Sequence, residues 1–273
     1  MGDRFKETAS VYPLGVHRIS NGIHVAFCSA KSDCGLLLYD LKTGRLVEKI
    51  PFPLSQRIGD VHFMDLFEID ADHLSYQFYV DDTILADPYA RAFSNRRRYG
   101  FYQDEADLRA YLPSSDFSWE DDQRPLIPYE DCICYQLHVR GFTKHKSSGV
   151  TNRGTFAGLV QKLPYLQALG ITTVELQPIY EFLEARPPLN DPTILHSTEF
   201  PSLNYWGYQK GFYFAPKSAY AADHDACLEW KSTVKAFHAA GMELILQFYF
   251  PDDVPLSDIP DILHYWITEY HVD

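Results

Sequence analysis

The residues of this 273-residue chain that could do chemistry are scattered, and their types narrow what that chemistry can be. Asp252 closes the apolar run Met242 to Phe250, and the carboxyl end of such a strand is where barrel enzymes place functional groups. No partner stands at a fixed spacing from it, so a loop cap is the competing role. His138 and Arg140 alternate with Val139 at the end of another apolar run, where buried polar groups need hydrogen-bond partners. An internal network suits them better than catalysis. The five cysteines, Cys28, Cys34, Cys132, Cys134 and Cys227, are odd in number and lack paired metal-ligand spacing. They read as free thiols in a reducing, cytoplasmic setting, with Cys132 and Cys134 on one strand face as core packing. Nothing calls for a metal or a cofactor. Aromatic side chains are abundant, 19 Tyr, 18 Phe and 4 Trp, which serves either a core or the stacking of neutral sugar rings.

Charge and hydropathy remove other classes. The net charge of −13 argues against a phosphate-backbone partner, and no basic block offsets it. No stretch reaches the roughly 18 apolar residues of a membrane span. Met1 to Ser10 is polar, with no apolar signal region.

Between these positions lie the elements that must hold them. Ile23 to Cys28, Leu36 to Tyr39, Leu46 to Ile50, Val61 to Ile69 and Leu74 to Val80 are β-branched and aromatic. They are parted by turn residues at Ser32-Asp33, Lys42-Thr43-Gly44 and Asp70-Ala71-Asp72. This predicts a β-sandwich over 1–103, and the polar, proline-dotted stretch 104–130 reads as a linker. After Asp131 the pattern becomes strand, helix, strand, helix, strand, helix, a parallel α/β unit with right-handed crossovers. Strands are predicted near 132–139, 172–179 and 242–249, the last buried on both faces. Phe156, Leu159, Leu163, Leu166 and Leu169 give a helical period that Pro164 interrupts, with Gly170 as its stop. A long loop is expected from Glu181 to Ala222, a helix through Trp230 ending at Gly241, and a last helix capped by Ser257. A doubly wound sheet is the alternative to a barrel, but no Gly-rich phosphate loop follows the first strand.

Several runs resemble one family. Tyr135-Gln-Leu-His-Val-Arg-Gly-Phe-Thr143 is similar to the first barrel strand of pullulanases, isoamylases and glycogen debranching enzymes of the alpha-amylase superfamily. Gly154-Thr-Phe-Ala-Gly-Leu159 and Lys162-Leu-Pro-Tyr-Leu166 resemble its first helix, and Val174-Glu-Leu-Gln-Pro178 its second strand. Asn204-Tyr-Trp-Gly-Tyr208 with Tyr213-Phe-Ala-Pro216 is the most specific match, and Asp87-Pro-Tyr-Ala-Arg91 resembles the end of the preceding sandwich.

The resemblance implies an immunoglobulin-like, carbohydrate-binding type of sandwich followed, over 131–273, by the first three βα units of a (β/α)8 barrel. It implies an α-glucan such as starch, glycogen or a pullulan-like oligosaccharide as partner. It also implies retaining hydrolysis by carboxylates on the fourth, fifth and seventh strands, all beyond this sequence, so that the chain itself has no catalytic residue. Glu175, Glu181 and Asp191 read as strand-end and loop residues, not as substitutes. Gln247, Pro251 and Asp252 stand where the family carries an aspartate, an asparagine and a sugar-contacting histidine, and a cleft-forming insertion is missing between Pro251 and Leu256. Tyr208 matches the ring that stacks under the sugar, and Trp206 and Asp252 complete the candidate substrate contacts. The plainer alternative is that Trp206, Tyr208 and Phe212 pack a long loop. Tyr39 and Trp119 could be further sugar platforms. Three strands of eight would leave open edges and expose Leu244, Leu246, Phe248 and Phe250, favouring self-association. The rival function is a non-catalytic glucan binder or sensor, and a scaffold without sugar affinity is the third.

Overall fold

A computed structural model describes residues 10–114, 116–185, 203–223 and 225–273. The chain divides into two compact units, one of residues 1–95 and 103–114, the other of 96–102 and 115–273.

The first unit is a sandwich of antiparallel sheets. One sheet runs in the order β1 (Gly15–Ile19), β2 (Gly22–Cys28), β6 (Val61–Phe67), β5 (Arg57–Ile58). The other runs β4 (Leu46–Pro51), β3 (Cys34–Asp40), β7 (Leu74–Val80), β8 (Thr83–Leu85), with β9 (Ala110–Tyr111) also paired to β7. The five strands expected from the sequence are all present. The β3–β4 turn forms because Asp40 Oδ1 accepts from both the backbone N and the hydroxyl of Thr43, at 2.6 Å each, and Gly44 adopts φ 68°. Across the sandwich Phe27 of β2 stacks on Phe78 of β7 with centroids 4.4 Å apart. Val25, Leu36, Met64 and Phe78 are wholly buried around them. Each such side chain stabilises the fold by about 1.5–3 kcal/mol.

Two expectations are corrected here. The stretch 104–130 is not a uniform linker, because Ala110 and Tyr111 pair with Tyr76 and Ser75, and alternating apolar residues (Leu108, Ala110, Leu112) bury into the unit. Tyr39 is not an open platform. It is 7% exposed, and the Arg109 guanidinium lies 4.2 Å over its ring.

The matched run at Asp87 has a structural role in this unit. Its buried carboxylate accepts from the Tyr76 hydroxyl and the Tyr89 backbone N, both at 2.8 Å. Gly15 approaches so closely, at φ 92°, that a Cβ would sit 2.8 Å from Tyr89 Cβ. Burial pushes the Asp87 carboxyl up to about 6.

The second unit is built on three parallel strands, β10 (Cys134–Leu137), β11 (Thr173–Leu176) and β14 (Glu243–Leu246), in that order. Gln136, Glu175 and Ile245 stand in one register row. The first strand is shorter than expected. It ends at Leu137 because His138 caps a one-turn helix, α1 (Val139–Thr143), its Nδ1 accepting from Gly141 N at 3.0 Å. The next helical stretch is split, as Pro164 dictates, into α2 (Phe156–Val160) and α3 (Leu163–Ala168), and Gly170 follows with φ 76°. The region expected as loop contains a two-stranded antiparallel pair, β12 (Tyr180–Glu181) and β13 (Phe212–Pro216). α4 (Ala226–Ala239) starts at Asp225, whose side chain accepts from Cys227 N and Leu228 N, and ends before Gly241 at φ 73°. α5 (Asp258–Glu269) begins at Ser257 without the expected side-chain cap bond; the Ser257 hydroxyl lies against Asp258 instead.

Helices cover one face of this sheet. Val174, Leu176 and Leu244 are wholly buried there, and Trp230, Phe237 and Trp266 complete the core. Phe248 packs edge-on to Trp266 at 5.7 Å and stacks on Phe250 at the same spacing. Of the apolar residues expected to be exposed, Leu244 is buried and Leu246, Phe248 and Phe250 are half-buried, and β14 is not buried on both faces. The residue that faces outward is Ile245, 38% exposed beside the wholly buried Leu244. Cys134 is exposed and Cys132 half-buried, so that pair is not core.

Candidate functional site

The carboxyl ends of β11 and β14 bring together residues from three parts of the second unit. Gln247 continues the pairing past β14, donating its backbone N to Leu176 O at 2.9 Å, so it stays aligned with the strands. Period-two alternation puts its side chain on the outward face with Ile245 and Glu175. Gln247 Nε2 donates to Glu175 Oε1 at 2.7 Å, and its Oε1 accepts from the Tyr208 hydroxyl. A half-exposed Tyr249 meets the Tyr208 ring edge-on at 6.5 Å. Tyr208 is 42% and Trp206 53% exposed.

The Asn204–Tyr208 run is shaped for this display. Gly207 has φ 83°, and a Cβ there would meet the Phe182 ring at 2.6 Å, so only glycine fits against that ring. Asn204 Oδ1 accepts from Gly207 N at 3.2 Å. The buried Tyr180 hydroxyl lies 3.1 Å from the carbonyls of Gly207 and Gln209, tying the run to β12. His138 stacks on Tyr205 at 4.4 Å. Since its Nδ1 accepts from the backbone, the proton sits on Nε2, 2.9 Å from Tyr205 O with the Tyr220 hydroxyl at 3.0 Å. Burial pulls this imidazole down to about 4, which keeps it neutral. His138 is thus a structural brace, and Arg140 lies over the Tyr99 ring at 4.1 Å.

Beneath the run lies a closed ionic cluster. Lys217 Nζ donates to Glu181 Oε1 at 3.1 Å, to Glu184 Oε2 at 2.8 Å and to Phe182 O at 2.8 Å. Arg96 pairs with the same two carboxylates. Glu181 Oε2 and Glu184 Oε1 accept from Ser218 N and Gly100 N, each at 2.8 Å. Burial alone would raise the Glu184 carboxyl, but Lys217 and Arg96 outweigh it and hold it below its ordinary value. Two cations and two anions with their hydrogen bonds satisfied are a scaffold, closed to substrate.

The expected site residues separate accordingly. Tyr208 and Trp206 are presented together. Asp252 is exposed in the turn after β14 and takes no part in the Glu175–Gln247–Tyr208 set, while its neighbour Asp253 pairs with Lys210 at 2.7 Å. Trp119 has one face against His271, with centroids 3.9 Å apart. Asp191 lies outside the described residues. Glu175, Gln247 and Tyr249 are not among the site residues expected from the sequence; Gln247 and Tyr249 alternate with Ile245 along the chain, whereas Glu175 joins them only through the register of the neighbouring strand. No group of three His, Cys, Asp or Glu among the described residues could hold a metal ion.

No protein-family model matches the chain. It is 32% identical over 267 residues to isoamylase 1, chloroplastic, of Oryza sativa subsp. japonica, covering 87% of this chain and 32% of that protein. It is 31% identical over 301 residues to the glycogen debranching enzyme of Dickeya chrysanthemi, covering 95% of this chain and 43% of the relative. The chain therefore spans less than half the length of these curated relatives. The pullulanase of Paenibacillus barengoltzii, solved in complex with maltohexaose and alpha-cyclodextrin, superposes with a TM-score of 0.73 at 21% identity, over 96% of this chain and 48% of that one. That likeness is one of fold.

Proposed function

We propose that this chain, a homologue of the isoamylases, glycogen debranching enzymes and pullulanases of the alpha-amylase superfamily, is the α-glucan-binding amino-terminal part of a debranching-type glycoside hydrolase. In this reading the sandwich is the carbohydrate-binding type of domain. The three parallel strands, each followed by helix, are the first three βα units of a (β/α)8 barrel, whose functional groups gather at the carboxyl ends of its strands. The observation that carries the reading is the pair of exposed rings at that end, Trp206 and Tyr208, with the Tyr208 hydroxyl fixed. A ring contact with a glucosyl unit contributes on the order of 1 kcal/mol and sets its orientation. Asp252 is a peripheral contact in the same reading.

Cleavage is not assigned to these residues. Retaining hydrolysis needs two carboxyl groups about 5–5.5 Å apart across the scissile bond. Glu181 and Glu184 are closed inside their ionic cluster, and Glu175 is engaged by Gln247. The substitutions Gln247, Pro251 and Asp252 favour a second reading, a member that binds or senses glucan without cutting it. Self-association through the uncovered face of the parallel sheet belongs to either reading.

Calorimetric titration with maltotetraose tests the proposal. Binding that Tyr208→Ala weakens about fivefold or more, together with no affinity for a β-linked glucan of equal length, is the expected result. Equal affinity for both sugars, or an unaffected Tyr208→Ala chain, would sink it. Reducing-sugar release from pullulan or glycogen should stay at the level of a boiled control, and release abolished by a point change in this chain would refute the non-cleaving assignment.

A further inference from the structure

The side-chain set Glu175, Gln247 and Tyr208 has a polarity that its geometry dictates. A carboxylate can only accept, so the Gln247 amide must turn its NH2 toward Glu175 and its oxygen toward Tyr208. The amide oxygen has no proton, so the Tyr208 hydroxyl is the donor in that bond. The phenolic proton is thereby committed inward, and what the ring shows to solvent is an apolar face plus an oxygen that can only accept. Glutamine is the side chain that suits this bridge, because it offers a donor and an acceptor at once. A carboxylate at position 247 would face Glu175 as a like charge and give it nothing to accept from.

We propose that Glu175 and Gln247 are positioning residues that hold the Tyr208 ring and direct its hydroxyl as an acceptor for a sugar hydroxyl. This rests on the α-glucan reading of the Tyr208 surface. Neither residue need touch the ligand. Glu175 anchors the amide from within a paired strand, the amide orients the phenol, and the ring then meets the sugar without losing rotamer freedom on binding.

The test uses the full chain and maltotetraose titrated by calorimetry across pH, with thermal unfolding confirming that each variant is folded. Gln247→Leu and Glu175→Ala should each weaken binding about three- to tenfold, the loss of one hydrogen bond's orienting effect. Adding Gln247→Leu to Tyr208→Phe should cost less than it does in the wild-type background, since the bond is already gone. Gln247→Glu gives the readout that a merely structural role would not move. At neutral pH two facing carboxylates break the bridge and binding weakens. As pH falls into the carboxylate range the pair holds one shared proton, which restores a donor toward Glu175 and an acceptor for Tyr208, and affinity recovers toward wild type. A Gln247→Glu chain that binds like wild type at every pH, or stays weak at every pH, overturns the proposal. A wild-type chain that does not bind maltotetraose overturns the functional reading instead. The relay is then judged by the resonance Raman tyrosine doublet in the difference between wild type and Tyr208→Phe. Loss of its donor signature in Gln247→Leu supports the relay, and an unchanged signature refutes it.

Discussion

The two units solve the same problem, where to put polar groups in a sheet, in opposite ways. In the sandwich each sheet turns an apolar face to the other, Phe27 on Phe78, and the carboxylate it buries, Asp87, closes a loop. Among the described residues, the parallel sheet has helices on one side. Its other side carries Gln136, Glu175 and Gln247, and it is from this side that Tyr208 is held. Parallel sheets are ordinarily covered on both faces. A polar row on one of them is a cost to the fold that makes sense as a display surface, and the sandwich displays nothing comparable from its core.

The largest expected effect lies under that display. Glu184→Ala would leave Lys217 and Arg96 sharing one carboxylate, with Gly100 N unsatisfied. Breaking a buried ion network by removing one partner costs about 3–5 kcal/mol. Urea unfolding followed by tryptophan fluorescence should show the loss, because the four tryptophans all lie beyond residue 114. A change below about 1 kcal/mol would mean that the cluster is not the scaffold of the site.

The units should also differ in how pH acts on them. In the sandwich, Asp87 is pushed from its ordinary 3.8 to about 6 by burial. A folded pKa raised in this way gives stability that is full below about 4 and is lost as pH climbs through 6. In the second unit, His238 lies between Asp122 at 2.9 Å and Asp273 at 3.1 Å. Burial opposes its protonation, but the hydrogen bonds it donates to the Asp273 and Asp122 carboxylates prevail and its pKa is raised above 6.5. Its contribution is therefore full below about 6.5 and lost as pH rises through the raised value. Thermal unfolding from pH 4 to 9 should show Asp87→Asn flattening the lower window and His238→Gln the upper one. The opposite assignment would break the comparison.

How much of this was legible follows from what local pattern can carry. The sandwich strands, the Pro164 break and the glycines after α3 and α4 depend on backbone preference, which is written locally. The face that helices cover is not. Leu244 and Ile245 are both apolar and β14 could bury either, so only tertiary packing decides that Phe248 goes under Trp266 while Ile245 looks out. The same blindness placed Cys134 in the core. His138 was read as a strand residue because nothing in Leu137-His138-Val139 marks a cap; the ring nitrogen takes the part a serine or aspartate usually plays. Resemblance located Tyr208 and Trp206, yet it made Gln247 look like a lost aspartate. In the fold Gln247 has a partner on each side, Tyr208 and Glu175.

The smallest expected effect is the sharpest test of the two-faced sheet, because it uses adjacent residues. Leu244→Ala removes a side chain with no exposed surface and should cost about 2–5 kcal/mol, the transfer term plus the cavity. Ile245→Thr changes a side chain of the same strand that is 38% exposed, keeps its β-branch, and should stay within about 0.5 kcal/mol. Stability is not where Ile245 matters in the proposed reading. On the face it shares with Gln136 and Glu175, it is part of the surface that the described residues leave uncovered, on a sheet whose two outer strands among those residues, β10 and β14, are edges. Such edges are templates for pairing, and a lysine there is a device that prevents it. Sedimentation velocity over a hundredfold concentration range should show the wild-type chain associating. Ile245→Lys should shift that association to higher concentration while leaving the urea midpoint in place. Association unchanged by Ile245→Lys would detach self-association from this face, and equal costs for Leu244→Ala and Ile245→Thr would erase the distinction between the two faces.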